Sequence, residues 1–434
     1  MSNYIKNAGW IFCEKFIRIA VGFILFALIS RALNPTEFGL LSYCQTIATM
    51  FLAITNLGFD NILINEFNQD KRHNEIFSTA FWSRIVVSVF VIMLFSVGLY
   101  FDDIALKNKL VFLLCISSLI FQSQNTYISF FQSQLQASVV TKISFCALII
   151  SSLFKGYLLF ISGDIIWFAL SYSFDFAVSF LFLAFLSYKR NYISINPKHF
   201  RLSVLKRLLR SSWPIIASSI IIVLYTRLDQ LMIMRMLGAD SVALFSVALK
   251  ISEAYLFIPA ALVTSYYPLI SKSPTRENIR FYFDVVFSSS VIMAIVVAIA
   301  SYLVIPYMFG ANYTASYNIL IVLLFGSLFA TLGSACTNLM IVYGLSYLRL
   351  VRAVYGLLIN FSLNILFIPK YGIIGAAYAS FVSQIFASWL SNSLNRKTFE
   401  CFKIQSMTVI SLGLIGFRQL FIMLFRRGVD ILYV

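Results

Sequence analysis

The feature that most constrains this chain is a train of apolar stretches, each close to the roughly 20 residues that a helix needs to cross a bilayer. Short polar or Gly/Pro breaks separate them. They cover approximately residues 10–31, 38–60, 77–100, 109–133, 143–162 and 165–187, and then 213–236, 242–267, 284–308, 316–343, 350–368 and 371–394. Of the 434 residues 60% are apolar and 12% charged, where an ordinary soluble domain has roughly 25% charged. A soluble core cannot hide that much apolar surface, so lipid is part of the solvent. The fold class expected is all-α, a polytopic membrane protein of about twelve transmembrane helices. The first stretch contains Glu14, Lys15 and Arg18 and lacks a small-residue cleavage site, so it reads as a retained helix and not a signal peptide.

A basic stretch divides the train. Tyr188 to Ser212 carries Lys189, Arg190, Lys198, Arg201, Lys206, Arg207 and Arg210 and no acidic residue. The organisation expected is therefore an N-terminal six-helix bundle over 1–187, a basic cytoplasmic linker over 188–212, a C-terminal six-helix bundle over 213–395, and a cytoplasmic-side tail over 396–434. Within the tail, 404–425 is apolar enough for an interfacial or a thirteenth helix. It contains Arg418 and ends in Arg426-Arg427, which favours lying along the cytoplasmic face.

The net charge of +16 would suggest nucleic acid as partner in a soluble protein. Here topology accounts for it, because cations gather in cytoplasmic loops against anionic headgroups, and no nucleic-acid partner is expected. With the amino terminus in the cytoplasm, that side receives Lys6, Lys71, Arg72, Arg84, Lys142, the linker cations, Lys272, Arg276, Arg280, Arg349, Arg352, Arg396, Lys397 and Lys403. The opposite side receives only Arg31, Lys107, Lys109, Arg235 and Lys370.

An internal repeat supports two equivalent halves. Arg31-Ala-Leu-Asn-Pro-Thr-Glu-Phe-Gly-Leu-Leu-Ser42 parallels Arg235-Met-Leu-Gly-Ala-Asp-Ser-Val-Ala-Leu-Phe-Ser246, 204 positions on. A weaker match, about 207 positions apart, sets Ile161-Ser-Gly-Asp-Ile-Ile-Trp-Phe-Ala169 against Ile368-Pro-Lys-Tyr-Gly-Ile-Ile-Gly-Ala376. Six spans per half make the repeats parallel, related by an axis along the membrane normal.

Ordinary catalytic machinery is missing from the sequence, which contains no HExxH, P-loop or GxSxG pattern. Cys13, Cys44, Cys115, Cys146, Cys336 and Cys401 have no paired spacing and read as small hydrophobes. His73 and His199 fall in polar loops. Neither a metal nor a cofactor is expected. The polar run from Gln122 to Gln136 reads as a solvated helix end sooner than as a sugar-contacting mouth.

Charges at the centre of a span cost about 2.5–3.5 kcal/mol on insertion scales and usually face a protein interior or a wet cavity. The deepest are Lys155, Asp175, Arg227, Asp229, Lys250 and Glu253, with Glu14, Lys15 and Arg18 in the first third of the first span. Internal ion pairs are the plain alternative; Lys155 with Asp175 is the strongest such case, and Glu14 with Arg18 and Lys250 with Glu253 share helix faces. Cations converging between two bundles would make a cavity of positive potential that favours an anion, with Arg suited to a phosphate fork and Lys acting as a point charge. Arg18, Lys155, Arg227 and Lys250 are the candidate substrate-binding residues. Glu14, Asp229 and Glu253, acids beside them, are candidates for proton coupling.

Asn7-Ala-Gly-Trp10, Glu14-Lys15, Arg18, Gly22-Phe23, Arg31 to Leu40, Leu57-Gly-Phe-Asp60, and Asn364-Ile-Leu-Phe-Ile-Pro-Lys-Tyr-Gly-Ile-Ile-Gly-Ala-Ala377 occur in that order. Over about residues 1–395 this order resembles bacterial polysaccharide-biosynthesis flippases of the Wzx type, in the multidrug/oligosaccharidyl-lipid/polysaccharide exporter superfamily. The resemblance implies two six-helix bundles around a central cationic vestibule, alternating access and no bond-breaking step. It implies that a polyprenyl-pyrophosphate-linked oligosaccharide, such as an O-antigen repeat unit, passes from the cytoplasmic to the periplasmic leaflet of a bacterial inner membrane. Membrane lipids, a polymerase and chain-length machinery are the implied partners.

Three alternatives stand beside this reading. A multidrug antiporter of the same superfamily would have a net negative interior. A repeat-unit polymerase or polyprenyl-dependent glycosyltransferase would carry a large catalytic loop, and the longest external polar stretch, about 101–109, is short. A passive scaffold would leave the mid-span charges without a purpose.

Overall fold

Hydrocarbon offers no partner to backbone N–H and C=O groups, so long apolar stretches close their own hydrogen bonds as helix. The computed structural model describes residues 2–190, 192–416 and 418, with side chains from Glu14 onward. In chain order the helices are α1 (Ser2–Ala32), α2 (Pro35–Thr55), α3 (Asp60–Gln69), α4 (His73–Phe101), α5 (Leu106–Phe121), α6 (Asn125–Ser133), α7 (Ala137–Phe160), α8 (Ile165–Lys189), α9 (Leu202–Leu237), α10 (Ala239–Tyr255), α11 (Phe257–Ser265), α12 (Tyr267–Lys272), α13 (Arg276–Val304), α14 (Ser316–Val342), α15 (Tyr347–Tyr371), α16 (Ile373–Ser388) and α17 (Phe399–Ile410). Helix makes up most of each of the twelve apolar stretches between 10 and 394, and among the described residues there is no strand. Among the described residues eleven helical stretches, from Pro35–Gln69 to Ile373–Ser393, are long and apolar enough to cross a membrane. The chain is an all-α, multi-pass membrane protein.

The described chain forms two compact units, one up to Arg227 and one from Leu228. The same element order recurs in each: α2–α3 and α10–α12 are broken helices followed by the long α4 and α13. The turns into α2 and α10 are built by different chemistry. Before α2, Asn34 accepts the Glu37 backbone N–H at 2.8 Å and Pro35 occupies the first turn. Before α10, Gly238 adopts φ +87°, a conformation a side chain would strain.

In the first unit, Leu57 and Gly58 break α2 from α3 at φ +54° and +59°. Phe59, Leu63, Phe67, Phe77, Tyr127 and Phe131 fill the core around that break. Lipid-facing surface is equally clear: Val86, Phe90, Met93, Leu94 and Val97 form an exposed apolar stripe along α4.

The basic segment 188–212 is partly helix, since α9 begins at Leu202. Its charges are not all left for headgroups. Arg201 pairs with Glu75 at 3.4 Å, and Arg207 with Glu66 at 2.7 Å and Asp70 at 3.5 Å. Arg72 hydrogen-bonds Asp70 as well and is the main cause that holds the Asp70 carboxyl well below the usual carboxylate range.

In the second unit, Ile270, Ile279, Tyr282, Phe283, Leu332 and Leu339 pack with Cys401 and Ile404 of α17. The start of the tail is thus core. Buried Asp284 accepts Thr408 Oγ1 at 2.7 Å and the Gly416 backbone N–H at 3.2 Å, while Asn392 donates to Gln405 at 2.8 Å. Of the apolar tail stretch 404–425, residue 417 and everything from 419 on, with Arg426-Arg427, lie outside the described residues.

Candidate functional site

Each charge in an apolar helix needs either a partner or a ligand, so the site is built by asking which one each charge has. On α1, Arg18 Nε donates to Glu14 Oε1 at 2.8 Å, one helical turn away, and Arg18 Nη2 also donates to the Ser144 carbonyl of α7 at 3.2 Å. The Arg18 side chain stays 47% exposed while Glu14 is 11% exposed, so the guanidinium keeps donors for an anion. On α7, Lys155 donates to Asp175 of α8. Eleven residues of α7 separate Ser144 from Lys155, about 16 Å of rise, so Arg18 and Lys155 are not one cluster.

Arg227 and Lys250 are half-buried and Glu253 is exposed. Arg227 closes the first unit, whereas Asp229, Lys250 and Glu253 belong to the second.

Asp229 has the most distinctive surroundings. It is 5% exposed on α9. Asn360 and Asn364, one turn apart on α15, donate to its Oδ1 at 3.0 and 2.7 Å, and Ser380 of α16 donates to Oδ2. Asn364 also donates to Asn360 Oδ1 at 3.0 Å, which leaves Asn364 Oδ1 buried with no donor. The close approach of α15 and α16 that assembles this cage depends on Gly375, where a Cβ would strike the Phe367 carbonyl. Among the described residues only neutral donors reach the Asp229 carboxylate. A buried anion with neutral donors alone lacks full charge compensation. No metal-holding group of three or more His, Cys, Asp or Glu occurs among the described residues.

The sequence reading missed this cage, although two Asn at i,i+4 in an apolar helix are a visible signal. Two cations counted with the cytoplasmic side are buried within the protein. Arg84 is 2% exposed inside α4. It donates to Asp60 Oδ1 at 2.7 Å, to the Asn56 carbonyl at 3.2 Å and to Thr126 Oγ1 at 3.0 Å, and so ties the α2–α3 break. Arg352 is 8% exposed. Its Nε meets the Ala387 carbonyl at 2.7 Å and its Nη2 the Ser388 carbonyl at 3.4 Å. These carbonyls at the end of α16 have no intrahelical donor and carry its negative dipole end.

The run from Gln122 was expected to be a solvated helix end. Gln122, Ser123 and Gln124 are instead buried in a tight 3-10 turn between α5 and α6, whereas Gln132 and Gln134 are exposed as expected. Backbone freed by the break accounts for polar side chains there. Cys44, Cys115, Cys336 and Cys401 are buried free thiols and Cys146 is exposed.

A membrane-embedded all-helical protein with this chain path has the fold of the exporter superfamily. It is similar to the lipid II flippase MurJ in an inward closed conformation, with a TM-score of 0.73 at 14% identity over 94% of this chain and 92% of that one. An inward-facing multidrug resistance MATE family transporter of the MOP superfamily matches with a TM-score of 0.67 at 13% identity over 91% of this chain and 95% of that one. Residues 4–273 match the family described as "Polysaccharide biosynthesis protein", and the chain belongs to that family. A relative from Shigella flexneri, named "Putative O-antigen transporter", is 26% identical over 402 residues, 86% of this chain and 93% of the relative.

Proposed function

We propose that this chain is a flippase that moves a polyprenyl-pyrophosphate-linked oligosaccharide, an O-antigen or similar surface-polysaccharide repeat unit, from the cytoplasmic to the periplasmic leaflet of a bacterial inner membrane. The observation that carries the proposal is the family match over residues 4–273, on a chain whose fold is that of flippases and exporters. The name of the Shigella flexneri relative supports the substrate class. In this reading α1 is a twelfth crossing, the amino terminus is cytoplasmic, each half is a six-helix bundle, and segment 188–212 is the hinge of an alternating-access movement. No bond is made or broken. The lipid tail stays in hydrocarbon while pyrophosphate and sugars cross a polar path, which avoids dragging charge and hydroxyls through the bilayer.

Arg18, Arg227 and Lys250 meet the pyrophosphate, with Arg giving paired donors. Lys155, paired with Asp175, adds a further positive charge. Glu14 couples a proton to binding: once protonated it releases the Arg18 guanidinium that it now engages. Glu253 exchanges protons at the exposed end of α10. Asp229 carries the coupling proton or a small cation in its neutral cage.

Deletion of the gene in its host, followed by locating the lipid-linked repeat unit in sealed vesicles, tests the proposal. Complete units held on the cytoplasmic leaflet are the expected result. Complete but unpolymerised units on the periplasmic leaflet would mean a polymerase instead.

A further inference from the structure

Cys336 on α14 and Cys401 in the first turn of α17 stand 65 residues apart in sequence, yet their sulfur atoms lie 2.8 Å from one another. A disulfide needs about 2.05 Å, so less than an ångström of movement separates the thiols from a bond. Both are buried, at 0% and 7% exposure, but they are not sealed. They line a small cleft, open on one side, with Met340, Tyr343, Lys397 and Glu400. Lys397 and Glu400 are exposed, which gives a small polar reagent a way in.

The bond would act on a particular element. α17 is held to the second unit by Asp284 to Thr408, by Asn392 to Gln405, and by Trp389 Nε1 to Ser406 Oγ at 3.0 Å. Each is a hydrogen bond that local opening can break.

We propose that Cys336 and Cys401 are a site of reversible oxidation, at which a small disulfide such as oxidised glutathione converts the two thiols to a disulfide that fastens α17 to α14. One thiolate attacks the reagent's S–S bond and releases the first reduced thiol. The second cysteine then displaces the remaining half as another thiol. Both cysteine sulfurs are oxidised, the reagent's disulfide is reduced, and the two cysteine protons leave with the two product thiols. This site does not depend on the transported substrate, and it stands whether or not the flippase reading does.

The full-length protein in lipid nanodiscs is incubated with oxidised glutathione, denatured, and its thiols counted by maleimide-polyethylene glycol. Of six cysteines, two are expected to become unreactive and to return with dithiothreitol, with one cross-linked peptide carrying both Cys336 and Cys401. C336S and C401S each prevent the two-thiol loss, leaving at most one thiol blocked as the mixed disulfide with glutathione, and C44S leaves the two-thiol loss intact. A protease site placed in the turn at Gly344 gives a readout that keeps both cysteines. After cleavage the two fragments migrate together without reductant and separate with it. Six reactive thiols after oxidation, a two-thiol loss with a cross-linked peptide that persists in C336S, or fragments that separate without reductant would overturn the proposal.

Discussion

At Asp229 a single side chain concentrates the coupling argument. Its oxygens accept from Asn360, Asn364 and Ser380, and a neutral side chain of the same shape keeps most of that geometry. Asp229→Asn is therefore expected to insert and fold as the parent does, while transport falls at least about tenfold, roughly 1.4 kcal/mol in barrier terms, and loses its dependence on the ion gradient. Parent-like gradient dependence in this variant would remove Asp229 from the coupling role. Arg227→Ala and Lys250→Ala should leave the protein in the membrane and abolish surface polysaccharide. Normal polysaccharide in both Arg227 and Lys250 variants would end the cationic-path argument. Sequence made some of these contacts legible. Glu14 and Arg18 are one turn apart, and Lys155 and Asp175 lie on consecutive helices. It could not show that Asp229 meets residues 131, 135 and 151 positions away, because only the packing of α9 against α15 and α16 brings them together.

Elements carry a different kind of information, since it is their breaks and ends that the buried charges serve. Leu57-Gly-Phe-Asp60 was legible as a motif, and the structure reveals what it builds, a left-handed break whose Asp60 holds Arg84. Removing Asp60 strands a buried guanidinium, so Asp60→Ala should destabilise the first unit by about 3 kcal/mol, the low end for a broken buried pair because Asp60 itself is partly exposed. Thermal unfolding in detergent reads this directly, and an unchanged midpoint would mean the pair is idle. Gly375→Ala forces a methyl group into the Phe367 backbone and should cost about 1–3 kcal/mol, measured in the same way. The α3–α4 corner adds a pH dependence with a definite sign. Asp70 has a depressed carboxyl pKa in the fold, chiefly through Arg72, so its stabilisation is present above the unfolded value near 4 and is lost as pH falls through the folded one. Unfolding midpoints of the parent and Asp70→Asn should differ at pH 6 and converge in acid; a constant difference would contradict the assignment. Counting loop charges sorts Arg84 and Arg352 to the cytoplasmic side, although Arg84 lies within the predicted span 77–100. Hydropathy ranks residues by type and gives no weight to a carbonyl or carboxylate that waits for them.

For the whole molecule, the apolar train made the all-helical, multi-pass plan readable, because lipid leaves so few ways to satisfy a backbone. The course of the tail was less readable. The hydrogen-bond partners that fix α17, Asp284, Asn392 and Trp389 among them, lie in or just beyond helices that hydropathy treats as finished. Family membership rests on residues 4–273, and the claim it supports is movement of a lipid-linked glycan between leaflets. The most direct measurement uses purified protein in sealed liposomes loaded with a polyprenyl-pyrophosphate-linked repeat unit, with the fraction of glycan open to an impermeant oxidant followed over time. The account predicts that the protected inner-leaflet pool becomes reactive with the parent protein and does so at least about tenfold more slowly with Asp229→Asn. A protected pool that stays protected with the parent, under either sign of ion gradient, would contradict it.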